Sequence, residues 1–268
     1  MLGLQTSHNP EKYIQIMEEK IRKYLADLEK EREIEILLAC ETGSRAWGFP
    51  SPDSDFDIRI IYKHHKEWYL SLIEEKDTIE YFLENNELDI SGWDLRKCLR
   101  LLWKSNPPLI ERIQSPIIYK VNTDFLNGIN RIAQKTYSRI STIHHYLSMG
   151  KKAYEEVVSE DEYKLKKLFY ALRSAIACVW ILEKEIMPPI EFRIMLNQLN
   201  IPERIKERID ELIKIKSTIS ESYFHRGETD LIIFIRSCFE RTEKIVQSLP
   251  SSNGHISELN DFFIKTLG

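Results

Sequence analysis

From Asn9-Pro10 onward, apolar residues recur every three to four positions. Tyr13, Ile14, Met17, Ile21, Tyr24, Leu25 and Leu28 mark one face of a helix, with Asn9 as its capping side chain and proline at the first helical position. The period then changes. EIEILLACE, residues 33–41, is a compact β-like run that stops at Thr42-Gly43-Ser44, and FDIRIIY, residues 56–62, is a second extended run. In the latter, Phe56, Ile58, Ile60 and Tyr62 share one face, while Asp55, Asp57 and Arg59 share the other. A short helix is predicted over 66–72. DTIEYFL and ELDISGW flank the turn-prone ENNE and read as an antiparallel hairpin. Asp94 is placed as the N-cap of LRKCLRLLWKS, a helix halted by Asn106-Pro107-Pro108.

Beyond about residue 122 strand signals fade. TDFLNGINRIAQKTYSRISTIHHYL, EYKLKKLFYALRSAIACVWILEK, PERIKERIDELIKI and DLIIFIRSCFERTEKIVQSL all carry helical periodicity, and PSSNGH is a short connector. The fold class expected is therefore α+β: a mixed α/β unit with a small mixed sheet over 1–122, followed by a helical bundle over 123–268. No internal repeat or low-complexity tract interrupts it.

Composition narrows the setting. The 268 residues are 43% hydrophobic and 30% charged, values of a globular rather than a disordered chain. A formal charge of −4 excludes a histone-like nucleic-acid packager. Cys40, Cys98, Cys178 and Cys238 lie far apart among apolar residues with no CxxC pair, so buried reduced thiols in a cytoplasmic protein are expected. No basic start followed by an apolar run marks a signal peptide, and no run approaches the roughly 18 apolar residues of a membrane helix.

The chemistry concentrates in CETGSRAWGFPSPDSDFDIRIIY, where Asp53, Asp55 and Asp57 stand at alternate positions. Carboxylates at i and i+2 of a strand project the same way and raise one another's pKa unless something neutralises them. A divalent metal does so, and Mg²⁺ prefers hard oxygen ligands. The Gly-Ser turn upstream adds a complementary feature: glycine allows close backbone approach to an anion, and a helix start offers free N–H groups to phosphate. Acids of this kind beside such a turn describe a site for phosphoryl chemistry on a nucleotide. A solvated, aspartate-rich turn capping a strand is the plainer alternative.

Gly43-Ser44, then Gly48, then Ser54-Asp55-x-Asp57 before an apolar strand resembles the active-site motif of the DNA polymerase β-like nucleotidyltransferase superfamily. The longer stretches GSRAWGFPSPDSDFDIR, EWYLSL, DISGWDLRK, LLWKSNPPL and HYLSM are similar to one bacterial and phage branch, predicted nucleotidyltransferases sometimes encoded beside RNA ligases. The resemblance runs from about Glu41 to Arg173. It implies that Gly43 and Ser44 hold the nucleotide's β/γ-phosphates, and that Asp55 and Asp57 bind two Mg²⁺ ions, for which Mn²⁺ can substitute. Asp53 would be acidic but not a ligand. A third carboxylate is implied on a neighbouring strand, where Asp89 fits best and Glu87 and Glu80 are its rivals. One ion would then be held by Asp55, Asp57 and Asp89, the other by Asp55 and Asp57.

Weaker signals surround this motif. Lys166, Tyr170 and Arg173 fall at i, i+4 and i+7 of a helix and form a basic stripe with an aromatic, able to hold triphosphate and stack on a base. A solvated face with lysine stems lying on apolar surface is the alternative. Arg45 is left between phosphate contact and pairing with an acid, and Glu41 between bonding the turn and bonding Arg45. Trp47 is left between core and a base-stacking platform, whereas Trp93, Trp103 and Trp180 read as core. His64-His65 and His144-His145 point apart on any regular element, so no structural zinc is expected, and His225 is read as a loop residue. The resulting expectation is an Mg²⁺-dependent transferase that moves a nucleoside monophosphate from an NTP to an acceptor hydroxyl, on an RNA end, a protein side chain or a small molecule, and releases pyrophosphate. A non-catalytic nucleotide or RNA-end binding module on the same fold is the alternative.

Overall fold

The computed structural model describes residues 10–84, 87–249 and 256–268; the Asn9 cap, the centre of the ENNE turn and the connector at 250–255 lie outside the described residues. The first half runs α1 (Pro10–Arg32), β1 (Glu35–Glu41), α2 (Gly43–Trp47), β2 (Phe56–Lys63), α3 (Lys66–Tyr69), β3 (Thr78–Leu83), β4 (Leu88–Asp94), α4 (Leu95–Trp103), α5 (Pro107–Gln114) and β5 (Ile118–Val121). The second half follows as α6 (Thr123–Thr136), α7 (Arg139–Val158), β6 (Tyr163–Lys164), α8 (Leu165–Lys184), α9 (Phe192–Gln198), α10 (Glu203–Lys216), β7 (Phe224–His225), α11 (Thr229–Val246) and α12 (Ile256–Leu267).

Five strands form one mixed sheet in the order β3-β4-β2-β1-β5. β2 and β4 are parallel, and the other pairs are antiparallel, including the expected β3–β4 hairpin. β1 lies between two strands and is covered on both faces, which is why its sequence is a continuous apolar run rather than an alternating one. β2 alternates as expected. Its Phe56, Ile58, Ile60 and Tyr62, with Leu88 and Ile90 of β4, pack under Met17, Ile21, Leu25 and Leu28 of α1. The other face is divided along its length. Asp57 and Asp89 stand near the strand starts, whereas Ile61 farther along is buried with Leu95, Cys98, Leu109, Ile129 and Leu259 from four helices.

A separate core surrounds α8, with contributions from α7, α9, α10 and α11. Phe49 belongs to it, although it sits in the segment between α2 and β2: its ring stacks on Phe169 at 4.9 Å and meets Phe192 edge-on at 5.4 Å. α6 and α12 pack instead on the sheet, so apolar contact does not divide the molecule at residue 122. All four cysteines are buried and free, and no helix among the described residues is long and apolar enough to cross a membrane.

Several local expectations change. Asp94 caps α4 by accepting from the Arg96 N–H at 2.8 Å, as its position predicts. Asn106-Pro107-Pro108 does more than stop that helix, because Asn106 accepts from the Leu109 N–H at 3.1 Å and starts α5. The long helical pattern after residue 122 breaks at Tyr137-Ser138, where Ser138 caps a new helix. Trp180 is core, but Trp103 is 46% exposed at the end of α4. β5, α9 and α12 were not among the expected elements, although α12 carries Ile256, Leu259, Phe263 and Leu267 at helical spacing.

Glu111 of α5 ties the two halves together. Its Oε1 accepts from Arg173 Nη1 of α8 at 2.9 Å and from the Tyr146 hydroxyl of α7 at 3.1 Å, while Oε2 accepts from Trp47 Nε1 at 3.0 Å. The Arg173 guanidinium also lies 4.5 Å from the Trp47 ring centre. A buried ion pair of this kind adds little net stability, but deleting one partner strands the other charge away from water. Glu111→Ala is therefore expected to cost about 3–5 kcal/mol in a urea titration, and adding Arg173→Met should recover much of the loss. Additive effects in the double variant would show that the two side chains are not coupled.

Candidate active site

The candidate site begins where β1 ends. Thr42 donates its N–H to the Asp57 carbonyl at 2.9 Å, so the turn is fastened to the start of β2. Gly43 follows with φ +67°, and a Cβ there would lie 2.0 Å from Asp57 Oδ2. Glycine is thus required twice, by the left-handed backbone and by the carboxylate against it. Gly48 closes α2 with φ +90°. The buried Ser44 hydroxyl donates to Ser54 Oγ at 3.0 Å.

Asp57 and Asp89 are direct partners in the parallel register of β2 and β4, and alternation puts both on one face. Arg59, two residues on, clamps them. Its Nη2 donates to Asp57 Oδ1 at 2.7 Å and to Asp89 Oδ2 at 2.8 Å, and its Nη1 donates to the Asp89 carbonyl at 3.1 Å. The Asp57 carboxyl is nevertheless pushed up, by burial first, with Asp89 and Asp55 adding to it and Arg59 only partly relieving it. Asp55 is more open and is also raised, by desolvation and then by the nearby Glu221. Of the rivals for the third carboxylate, Glu87 accepts from the Tyr13 hydroxyl of α1 at 2.7 Å, and the exposed Glu80 sits on the edge strand opposite Ser91.

The expected stripe on α8 comes apart in space. Lys166 Nζ reaches Glu221 Oε2 at 3.3 Å. Tyr170 meets Trp47 edge-on at 5.4 Å, and its hydroxyl is pushed up to about 12 by burial and then by Glu221, Asp57 and Asp55. Arg173 departs from the expectation. It is 1% exposed and turned to Glu111, away from the carboxylates, because α8 enters the helical core before that residue is reached. Arg45 pairs with Glu41 at 2.5 Å and lies over the Phe56 ring, while Glu41 also accepts from the Tyr119 hydroxyl.

Three participants had no role in the sequence pattern. Arg59 was visible only as a cation following the acids on their face of the strand. Glu221 and Lys216 come from the C-terminal helical half and left no local signal. Glu221 reaches the site through Ser54, whose hydroxyl donates to Glu221 Oε1 at 2.7 Å, and Lys216 donates to Ser51 Oγ at 2.8 Å. His64 stacks on Trp68 at 4.1 Å, and His225 is 2.9 Å from Glu228. A groove of about 660 Å³ between α6 and α12 contains none of these residues.

Carboxylate oxygens are the donors a hard divalent cation takes, and here Asp57 and Asp89 stand side by side with one guanidinium neutralising both. Among the described residues, no three His, Cys, Asp or Glu side chains are gathered in a metal-binding arrangement. At the aspartates Arg59 Nη2 occupies the position between Asp57 Oδ1 and Asp89 Oδ2.

The chain is 35% identical over 252 residues to the uncharacterized protein YcgL of Bacillus subtilis (strain 168), covering 94% of this chain and 96% of that one. A nucleotidyltransferase-like protein from Exiguobacterium sibiricum 255-15, solved by crystallography, aligns with 93% of this chain and 79% of its own at 13% identity and a TM-score of 0.32, too slight a likeness to build on. The RNA repair pathway DNA polymerase beta family, RlaP, matches residues 17–265, nearly the whole sequence, and the chain belongs to that family.

Proposed function

We propose that the protein is a divalent-metal-dependent nucleotidyltransferase that joins a nucleoside monophosphate to an acceptor hydroxyl. The observation that carries this reading is the in-register pair Asp57 and Asp89, with the Gly43 backbone pressed against Asp57 and Asp55 two residues before it. The acceptor oxygen bonds to the α-phosphorus as the bond from that phosphorus to the α–β bridging oxygen breaks; pyrophosphate leaves with the electron pair, and the acceptor's proton passes to water. Two Mg²⁺ ions, or Mn²⁺ in their place, would be held by Asp55, Asp57 and Asp89 and would supply charge neutralisation and a more acidic acceptor hydroxyl. Gly43 and Ser44 hold the phosphates, Lys166 adds a cation, and Tyr170 offers a ring edge to the nucleoside. Arg173 acts on the site from behind, by fixing Trp47 against Tyr170. Positioning and electrostatic stabilisation supply the rate, since little covalent chemistry falls to the chain.

Arg59 has to turn aside before Asp57 and Asp89 can share an ion. The clamp also favours a second reading, a nucleotide-binding module in which the guanidinium permanently replaces the metal. The two are separated by measuring transfer of label from an NTP, with Mg²⁺ and with EDTA. The family's description names an RNA repair pathway, and an RNA end is the acceptor we favour over a protein side chain.

Mg²⁺ or Mn²⁺ is expected to raise the melting temperature of the parent protein and to leave that of Asp57→Asn unmoved. Label transfer in Asp57→Asn should fall by about 100-fold or more, with helix content unchanged by circular dichroism; transfer indifferent to EDTA would remove the metal from the reaction. Gly43→Ala meets both a left-handed backbone and the Asp57 carboxylate. It should cost on the order of 1–3 kcal/mol in stability and weaken binding of all NTPs alike. Unaltered calorimetric affinity in this variant would place the phosphates elsewhere.

A further inference from the structure

The segment joining α10 to β7 brings a fourth carboxylate to the Gly43-Ser44 turn. Glu221 donates its backbone N–H to Asp53 Oδ1 at 2.8 Å, and its side chain points inward. Oε1 accepts from Ser54 Oγ at 2.7 Å, and Oε2 lies 3.3 Å from Lys166 Nζ. Ser54 is held in turn by the Ser44 hydroxyl at 3.0 Å and the Ser51 N–H at 2.9 Å. Behind them sits Lys216, 2% exposed, whose ammonium donates to Ser51 Oγ and makes no ion pair among the described residues.

A buried ammonium with only a hydroxyl partner is costly, as is a carboxylate added to three others. Burial works against the Glu221 charge, but the Ser54 hydroxyl, Lys216 and Lys166 outweigh it and hold the carboxyl below its ordinary range. The same carboxylate pushes up Asp55 and Asp57. Ser54 and Lys166 therefore touch one anionic position directly, Ser44 stands behind Ser54, and Lys216 stands behind Ser51. It adjoins the turn that carries Ser44, and the chain's own glutamate fills it.

We propose that Ser44, Ser54, Lys166 and Lys216 form the terminal-phosphate subsite for the nucleotide, and that Glu221 holds it as a surrogate anion which an incoming triphosphate displaces. The proposal rests on the nucleotide reading above. The ligand class is an oligophosphate chain, inorganic tripolyphosphate included. Displacement frees Glu221 and lifts one negative charge from beside Asp55 in the same step that delivers the substrate. Because binding waits on the fraction of molecules with Glu221 withdrawn, the apparent affinity of the parent is reduced by that fraction.

Calorimetry of the full chain with Mg²⁺-tripolyphosphate and with Mg²⁺-ATP tests this. Glu221→Gln should bind both about tenfold tighter than the parent, as for a subsite open one-tenth of the time. Lys216→Met should bind both about tenfold more weakly. Glu243→Gln, which removes a glutamate paired with Lys151 elsewhere, should leave affinity unchanged and so controls for net charge. Ser54→Ala keeps Glu221 but loses a donor and should weaken binding, which keeps the test decisive even if Glu221→Gln folds poorly. If the parent binds Mg²⁺-ATP but Glu221→Gln binds no tighter, or Ser54→Ala and Lys216→Met bind as well as the parent, the surrogate role is overturned and the nucleotide reading stands. If neither the parent nor any variant binds an NTP, both are overturned.

Discussion

Two parallel strands with aspartates at the same level cannot avoid placing those carboxylates side by side. The pairing of Asp57 with Asp89 follows from the β2–β4 register, and their shared direction follows from the pleat. Much of the surrounding structure answers that repulsion. Arg59 spans both acids, Gly43 removes a side chain that would collide with one of them, and Thr42 ties the turn down so that the spacing is kept. A fold that only had to be stable would put apolar residues at these positions, as the same face does a few residues along at Ile61. The strand starts are spent on charge instead.

The arrangement also explains why the helical half is needed. Glu111 holds Trp47, Tyr146 and Arg173 on one carboxylate, so the short helix α2 is positioned by α5, α7 and α8. Trp47 then backs Tyr170, the aromatic nearest the aspartates on α8. The geometry of the turn is therefore set from the sheet on one side and from the bundle on the other.

The sequence displays the parts of the site that are local. Alternation in DFDIRIIY separates buried apolar residues from Asp55, Asp57 and Arg59, and the Gly-Ser step before it marks the turn. Asp89 was legible only as the best of three acids, because choosing among them requires the β2–β4 register. The α8 stripe misled for a definable reason. Periodicity assigns a face to a helix but cannot say how far along that face stays wet. Lys166 lies near the open end, whereas every residue from Ala171 to Ile181 is buried, so the stripe runs into the core by Arg173. Glu221 and Lys216 had no signal because their significance comes from contacts with Ser54 and Ser51, more than 160 residues away in the chain.

Phe49 gives this molecule a property that its sequence of elements conceals. It lies six positions before Asp55, yet its ring is set between Phe169 and Phe192 inside the helical core. The loop bearing the acids is thus riveted near its start to a different layer of the protein from the sheet it leads into. A polymerase-like core with such a rivet is not an interchangeable module: a fragment ending after β5 would carry its acids on a loop whose anchor faces water. Exchanging the bundle for that of a distant relative would require a matching aromatic socket before the first aspartate could find its place.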